Sequence, residues 1–264
     1  NLFKEKKQWL METFYRYMRK KHHILMTDSN EPIGSKWNFD HENRLPPPKN
    51  VKVLDLEKPY YPKEDEIDNF ARKEIKRLEK EGFEFIGSDK ERVFAATEKE
   101  ANKLLNNFFE TRLKNFGPYE DAMVKENWAF HHSLLSPYLN IGLIHASEVI
   151  DAVRKRYQKG DIPLASCEGF IRQVIGWREY INGVYWFFGD KYRENNHFKL
   201  DRPLLPLFYD SEKTKMACVS QQISDIESRA WVHHIPRLMV LSNLALLTGI
   251  NPQQFLNWMR EVFI

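Results

Sequence analysis

Arg229-Ala-Trp-Val-His-His-Ile-Pro-Arg-Leu-Met-Val-Leu-Ser-Asn-Leu-Ala-Leu-Leu247 is the stretch that decides the fold. Its second half is apolar at nearly every position and built of strong helix formers, so it reads as a buried helix of a helical domain. Pro236 is best tolerated in the first turn of such a helix, where its missing N–H costs nothing. His233 and His234 therefore stand at or just before the helix start, and Arg237 enters its first turn. Two imidazoles and a guanidinium are costly to bury without partners. A satisfied polar cluster and a functional site explain them equally well at this point.

Working outward, Ser166 to Phe188 reads as one long helix, with Phe170, Val174, Ile181, Val184 and Phe188 at core spacing. Gln173, Trp177 and Tyr180 share a second face. Gly176 and Gly183 each cost about 1 kcal/mol in a helix interior, which predicts close approach to that backbone. Residues 145–159 form an amphipathic helix closed by Gly160. Before it, in the run Phe130-His-His-Ser-Leu-Leu-Ser-Pro-Tyr-Leu139, Ser133 and Ser136 bracket a turn and Pro137 opens a helix. Hydroxyls and free N–H groups at a helix start seat anions, although a plain cap is the commoner role of one serine. Thr97 to Glu100 is a capping box, and Asn115 to Tyr119 breaks the helix that it opens. Asp65 to Lys80 is a charged amphipathic helix with Gly82 as its stop.

The amino-terminal part differs. Residues 3–21 have helical spacing, and His22 to Met26 read as a short strand; together they suggest the tail of an α/β domain. Residues 29–65 are loop-like, with Pro46, Pro47 and Pro48 in a row. Trp37-Asn-Phe-Asp40 and Glu42-Asn-Arg44 are rich for a linker and suited to packing back on a domain. Three parts follow: 1–45, the remnant of an α/β domain; 46–94, a linker with one helix; and 95–264, a mainly α domain.

Composition limits the function classes. The chain has 264 residues, with 40 Lys and Arg against 37 Asp and Glu, so nucleic-acid contact must come from a local patch. No apolar run spans a bilayer, and the charged start is no signal peptide. Two distant cysteines, Cys167 and Cys218, point to a reducing, cytoplasmic setting. The lack of an initiating Met, and a last helical pattern without a stop signal, read as a piece cut from a longer protein.

Taken together these motifs resemble the photolyase/cryptochrome superfamily. Ser133-Leu-Leu-Ser-Pro-Tyr-Leu-Asn-Ile-Gly142 is similar to its Thr-Ser-Arg-Leu-Ser-Pro-Tyr-Leu segment, Trp177-Arg-Glu-Tyr180 to its Trp-Arg-Glu-Phe motif, and His233-His-Ile-Pro-Arg237 to the His-His-Leu-Ala-Arg segment of six-four photolyases. The Asn115 to Met123, Cys167 to Trp177 and Trp37 to Asp40 segments are similar to the bacterial branch that carries an iron–sulfur cluster. The resemblance implies a helical FAD-binding domain, preceded by the tail of an antenna domain. It implies that Tyr119, His132, Ser133, Leu134, Leu135 and Ser136 line the FAD phosphates and ribityl chain, with Arg178 and Arg237 reaching the cofactor. Gln173, Trp177 and Tyr180 become substrate contacts, and His233 and His234 the catalytic histidines. Cys218 becomes one ligand of a 4Fe-4S cluster whose other ligands lie outside the chain. A ribityllumazine antenna, UV-damaged DNA as partner and a monomeric state complete the expectation. Leu134 stands where the superfamily has arginine and His132 where it has threonine. Gln173 sits four residues before the tryptophan, where three is usual. The activity implied is light-driven, FAD-dependent repair of six-four pyrimidine photoproducts; a cryptochrome-type photoreceptor and a cofactor-free helical scaffold are the alternatives.

Overall fold

The computed structural model describes residues 9–48, 58–125 and 127–264. The start of the expected first helix, with Phe3, and linker residues 49–57 lie outside the described residues. The fold is mainly α. No sheet forms among the described residues; Met26 with Pro32 and Arg202 with Ile250 make isolated bridges.

The chain divides into two compact units that interleave along the sequence. The first comprises residues 1–57, 105–122 and 131–195; the second comprises 58–104, 123–130 and 196–264.

In the first unit, α1 (Met11–His22) packs on the long helix formed by α7 (Leu164–Ile171), a widened π-helical stretch (Arg172–Arg178) and α8 (Glu179–Phe188). A Cβ on Gly176 would lie 3.1 Å from Met11 Sδ and 3.4 Å from Tyr15 Cδ2, so α1 is what approaches that glycine. The short helices α4 (Leu113–Phe116) and α5 (Ser136–Asn140) and the amphipathic α6 (Ala146–Gln158) complete this unit. Phe108, Phe116 and Phe170 form its aromatic centre, with ring centroids 5.2–6.1 Å apart. Gly117 is fixed by space rather than by conformation: a Cβ there would stand 2.8 Å from the Ser166 backbone.

The strand expected at His22 to Met26 does not form. α1 ends at His22, and His23 and Leu25 both have φ of 50°. Left-handed residues at alternate positions preclude a strand. Buried Arg19 supplies the reason. Its guanidinium takes the carbonyls of Ile24, Leu25 and Trp37, which curls the chain around it. The loop that follows packs back as its composition suggested: Phe39 N–H donates to Glu168 (3.1 Å), and Leu45 N–H to Pro118 O (3.0 Å).

In the second unit, α2 (Glu66–Lys80) starts at an Asp65 capping box, and α3 (Glu98–Thr111) starts at Thr97. Arg92 ties the two helix starts together through Asp68 and Glu100. α3 continues past Leu104 into residues counted with the first unit. The core of the second unit is built by α9 (Ala217–Arg229), the π-helical stretch Pro236–Ser242 with α10 (Asn243–Leu247), and α11 (Pro252–Val262). Trp258 is fully buried there and donates to Phe208 O at 2.9 Å. α11 does stop, at Val262. Phe263 is extended, and Ile264 N–H bonds to Ala230 O.

Candidate functional site

The sequence-predicted site residues fall into two sets, one in each unit. In the first unit, Leu134 takes a left-handed φ of 61° directly after His131, His132 and Ser133. The caps expected of the serines are not made. Among the described residues Ser133 Oγ accepts from Leu135 N–H at 3.4 Å and from no other donor, and Ser136 lies inside α5 with Leu135 as the uncapped start. Tyr119 stacks on His131 at 5.3 Å, and His132 meets the edge of Phe116. Burial first, then Arg112, pushes the His131 pKa down to about 4, so His131 is neutral at physiological pH. Leu134 and Leu135 are buried among the core side chains.

Arg178 joins this segment to the long helix: it donates to Leu139 O on α5 at 3.0 Å and pairs with Glu179 at 3.3 Å. Trp177 is 47% exposed, while the Tyr180 hydroxyl is spent on Trp9 O at 2.7 Å. The widened turn bears on the spacing of Gln173 and Trp177. A π-helical turn bonds i to i+5 and so holds one residue more than an α turn. Four residues across Arg172–Arg178 therefore subtend an angle nearer to that of three in an ordinary helix. Gln173 Nε2 donates to Gly169 O at 3.2 Å and to Glu120.

Beside Gln173 stands a cluster that the sequence reading missed. Arg172 is ringed by Glu168 (3.3 Å), Glu120 (3.9 Å) and Asp40. Burial alone would lower the Arg172 pKa; Glu168, Glu120 and Asp40 outweigh it and raise it. Glu168 is fully buried and also takes the Tyr15 hydroxyl at 2.8 Å. Burial lifts the Glu120 carboxyl to about 8 against the pull of Arg172, with Asp121, Asp40 and Glu168 adding to the rise. A visible signal existed: Glu168 and Arg172, two charges four apart, stand with Gln173 in an otherwise apolar run from Cys167 to Ile175.

In the second unit, His233 precedes the helix start and His234 begins it, with Pro236 in the first turn, as the sequence requires. The two rings lie 5.9 Å apart, and Trp231 is 6.5 Å from His233. A cavity of about 320 Å³ is lined by Cys218, Asp225, Trp128, Trp231 and His233. Arg237 lies over the Phe263 ring at 4.2 Å and donates to Val232 O at 2.8 Å. Among the described residues no carboxylate pairs with it, and burial lowers its pKa to about 10. It remains a cation at neutral pH, half-buried and without a counter-charge, which suits an anionic group such as the phosphates or reduced ring of a flavin.

The donor set fits a four-thiolate cluster less well. The sequence holds two cysteines. Burial, with Glu168 adding to it, holds the Cys167 thiol protonated, with its pKa raised to about 12. Cys218 is exposed and is the one thiol here placed to act as a ligand. This chain's own residues therefore do not complete a cluster.

Comparison with known proteins agrees with the helical geometry. Residues 1–94 match the family described as deoxyribodipyrimidine photo-lyase-related protein. A (6-4) photolyase of Agrobacterium fabrum is 41% identical over 260 residues, which is 98% of this chain and 49% of that protein. An uncharacterized protein of Acanthamoeba polyphaga mimivirus is 43% identical over 68 residues, 25% of this chain and 52% of its own length. The chain thus spans about half the length of these relatives. Among solved structures, a Synechocystis cryptochrome superposes with a TM-score of 0.58 at 19% identity, covering 69% of this chain and 38% of its own. A bacterial class III photolyase from Agrobacterium tumefaciens gives 0.54 at 21%, covering 65% and 35%. These two likenesses speak to the fold alone. The long match to the Agrobacterium fabrum protein, with the sequence motifs, leads to one conclusion: the chain belongs to the photolyase/cryptochrome superfamily.

Proposed function

We propose that this chain carries FAD- and lesion-contacting residues of a light-driven DNA lyase acting on six-four pyrimidine photoproducts, in the bacterial photolyase-related branch. The observation that carries the reading is the 41% identity to a (6-4) photolyase across nearly the whole chain, together with the His-His-Ile-Pro-Arg segment at a helix start. In this reading residues 1–45 end an antenna domain that takes a ribityllumazine, 46–94 link, and 95–264 form the FAD-binding domain. FAD, when bound, supplies the photoexcited electron. Tyr119 and the His132 to Ser136 segment hold its phosphates, with Arg178 bracing α5 beneath them. Arg237 offers the uncompensated cation that an anionic cofactor requires. Trp177, exposed on the widened turn, offers a flat apolar wall for a flipped base. His233 or His234 supplies the proton, because an imidazole can hand a proton to a reacting group within hydrogen-bond reach. Cys218 serves as a cluster ligand only with thiolates from outside this chain.

The test is repair of six-four duplex under blue light by the parent protein and by His233→Ala and His234→Ala variants. The expected outcome is unchanged FAD and lesion binding, with repair lost in one variant. Normal repair in both removes the proton-donor role. Flavin binding without any repair in the parent supports the photoreceptor instead.

A further inference from the structure

The side-chain amide of Gln173 is committed on its donor side. One N–H goes to the Gly169 carbonyl at 3.2 Å, an atom that only accepts, so the orientation of the amide is fixed. The other goes to Glu120 Oε1. Gln173 Oε1 makes no hydrogen bond among the described residues and is not sealed from solvent. Gln173 thus presents a single free group, an acceptor.

We propose that Glu120 is a positioning residue that locks Gln173 as an acceptor-only contact, so that this site selects a ligand edge bearing an N–H donor, such as the imide of a pyrimidine base. The proposal rests on the reading of Gln173 as a substrate contact. Its chemistry is one of exclusion. A ligand edge offering only acceptors would face the lone pairs of Oε1 and leave buried polar groups unpaired, which is what makes such sites discriminating.

The surroundings of Glu120 make it suited to the task. It is 6% exposed. The charged groups facing it are Arg172 on the widened turn, Glu168 on α7, Asp40 on the packed-back loop and Asp121 next along the chain; Arg44 lies near Asp40 and Asp121. Asn43 also faces it. A Cβ on Gly169 would meet Asn43 Nδ2 at 2.6 Å and Glu120 Oε2 at 3.2 Å, so the pocket around the carboxyl is closed. With Arg172 already shared among three carboxyls, Glu120 keeps its proton at neutral pH. It holds Gln173 without adding a negative charge that would repel phosphate-bearing ligands.

Two measurements test this. In the unliganded protein, the Gln173 side-chain N–H protons should exchange slowly by NMR. They should stay slow in Glu120→Gln, which can still accept, and become fast in Glu120→Ala. Fast exchange in the parent, or no change in Glu120→Ala, overturns the positioning role whatever the ligand. Second, affinity for a six-four duplex should fall roughly tenfold in Gln173→Ala and in Glu120→Ala, with no further fall in the double variant. Additive losses overturn the coupling. Slow exchange with no loss in Gln173→Ala leaves the lock in place but sinks the substrate contact, and with it the selection.

Discussion

Arg172 and Arg237 both sit in widened helical turns, and the protein treats them in opposite ways. Arg172, in the first unit, is 5% exposed and has three carboxyls around it. Arg237, in the second, has a backbone carbonyl and the face of Phe263. Carboxylates raise the pKa of the first, and burial lowers that of the second. A guanidinium surrounded by its own acids is a closed account of charge, and it serves the fold. One left half-buried, with no acid beside it among the described residues, is open, and an anion from outside can complete it. Buried charge alone therefore does not mark a site; the missing counter-charge does.

The largest effect that can break this contrast is Arg172→Met. It strands Glu168, Glu120 and Asp40 around an apolar side chain, and should destabilise folding by about 3–5 kcal/mol, measured by denaturant unfolding. A loss near zero would mean that the cluster is not holding the fold.

Next comes pH. The raised Glu120 pKa means that the folded state holds a proton which the unfolded state gives up. Its contribution to stability is therefore full below the usual carboxylate range and is lost as pH rises to about 8. Glu120→Gln should flatten that decline, by at most about 1.4 kcal/mol per pH unit. Unfolding midpoints measured across this window should converge at low pH and separate at high pH.

The smallest change in stability belongs to Arg237→Met. It gives up one hydrogen bond and a cation–π contact but removes an unpaired buried charge, so stability should stay within about 1 kcal/mol. Flavin affinity, by fluorescence titration, should nevertheless drop at least about tenfold. A large stability loss with flavin binding intact would reverse the roles assigned to the two arginines.

Much of the helical fold was legible. α2, α6, α11 and the His233 boundary follow from apolar spacing, caps and Pro236, which act locally. What was hidden depends on partners far along the chain. The strand read at His22 to Met26 fails because buried Arg19 claims its carbonyls. The acids around Arg172 come from residues 40, 120 and 168, and no local pattern joins them. The widened turns are equally silent in periodicity, since an apolar run looks the same at either pitch. Ser133 and Ser136 showed the right residue types without the capping bonds inferred for them.

The interleaving of the two units along the chain has a consequence for biosynthesis. Phe39 N–H bonds to Glu168, 129 residues later. At typical ribosomal speeds that separation is roughly 6–26 s of elongation, during which the Trp37–Asp40 loop has been made and its partner has not. The second unit closes only when residues past 196 join those from 58–104. Neither unit can close before its last segment has been made, so the aromatic side chains that pack in it stay uncovered for that part of elongation.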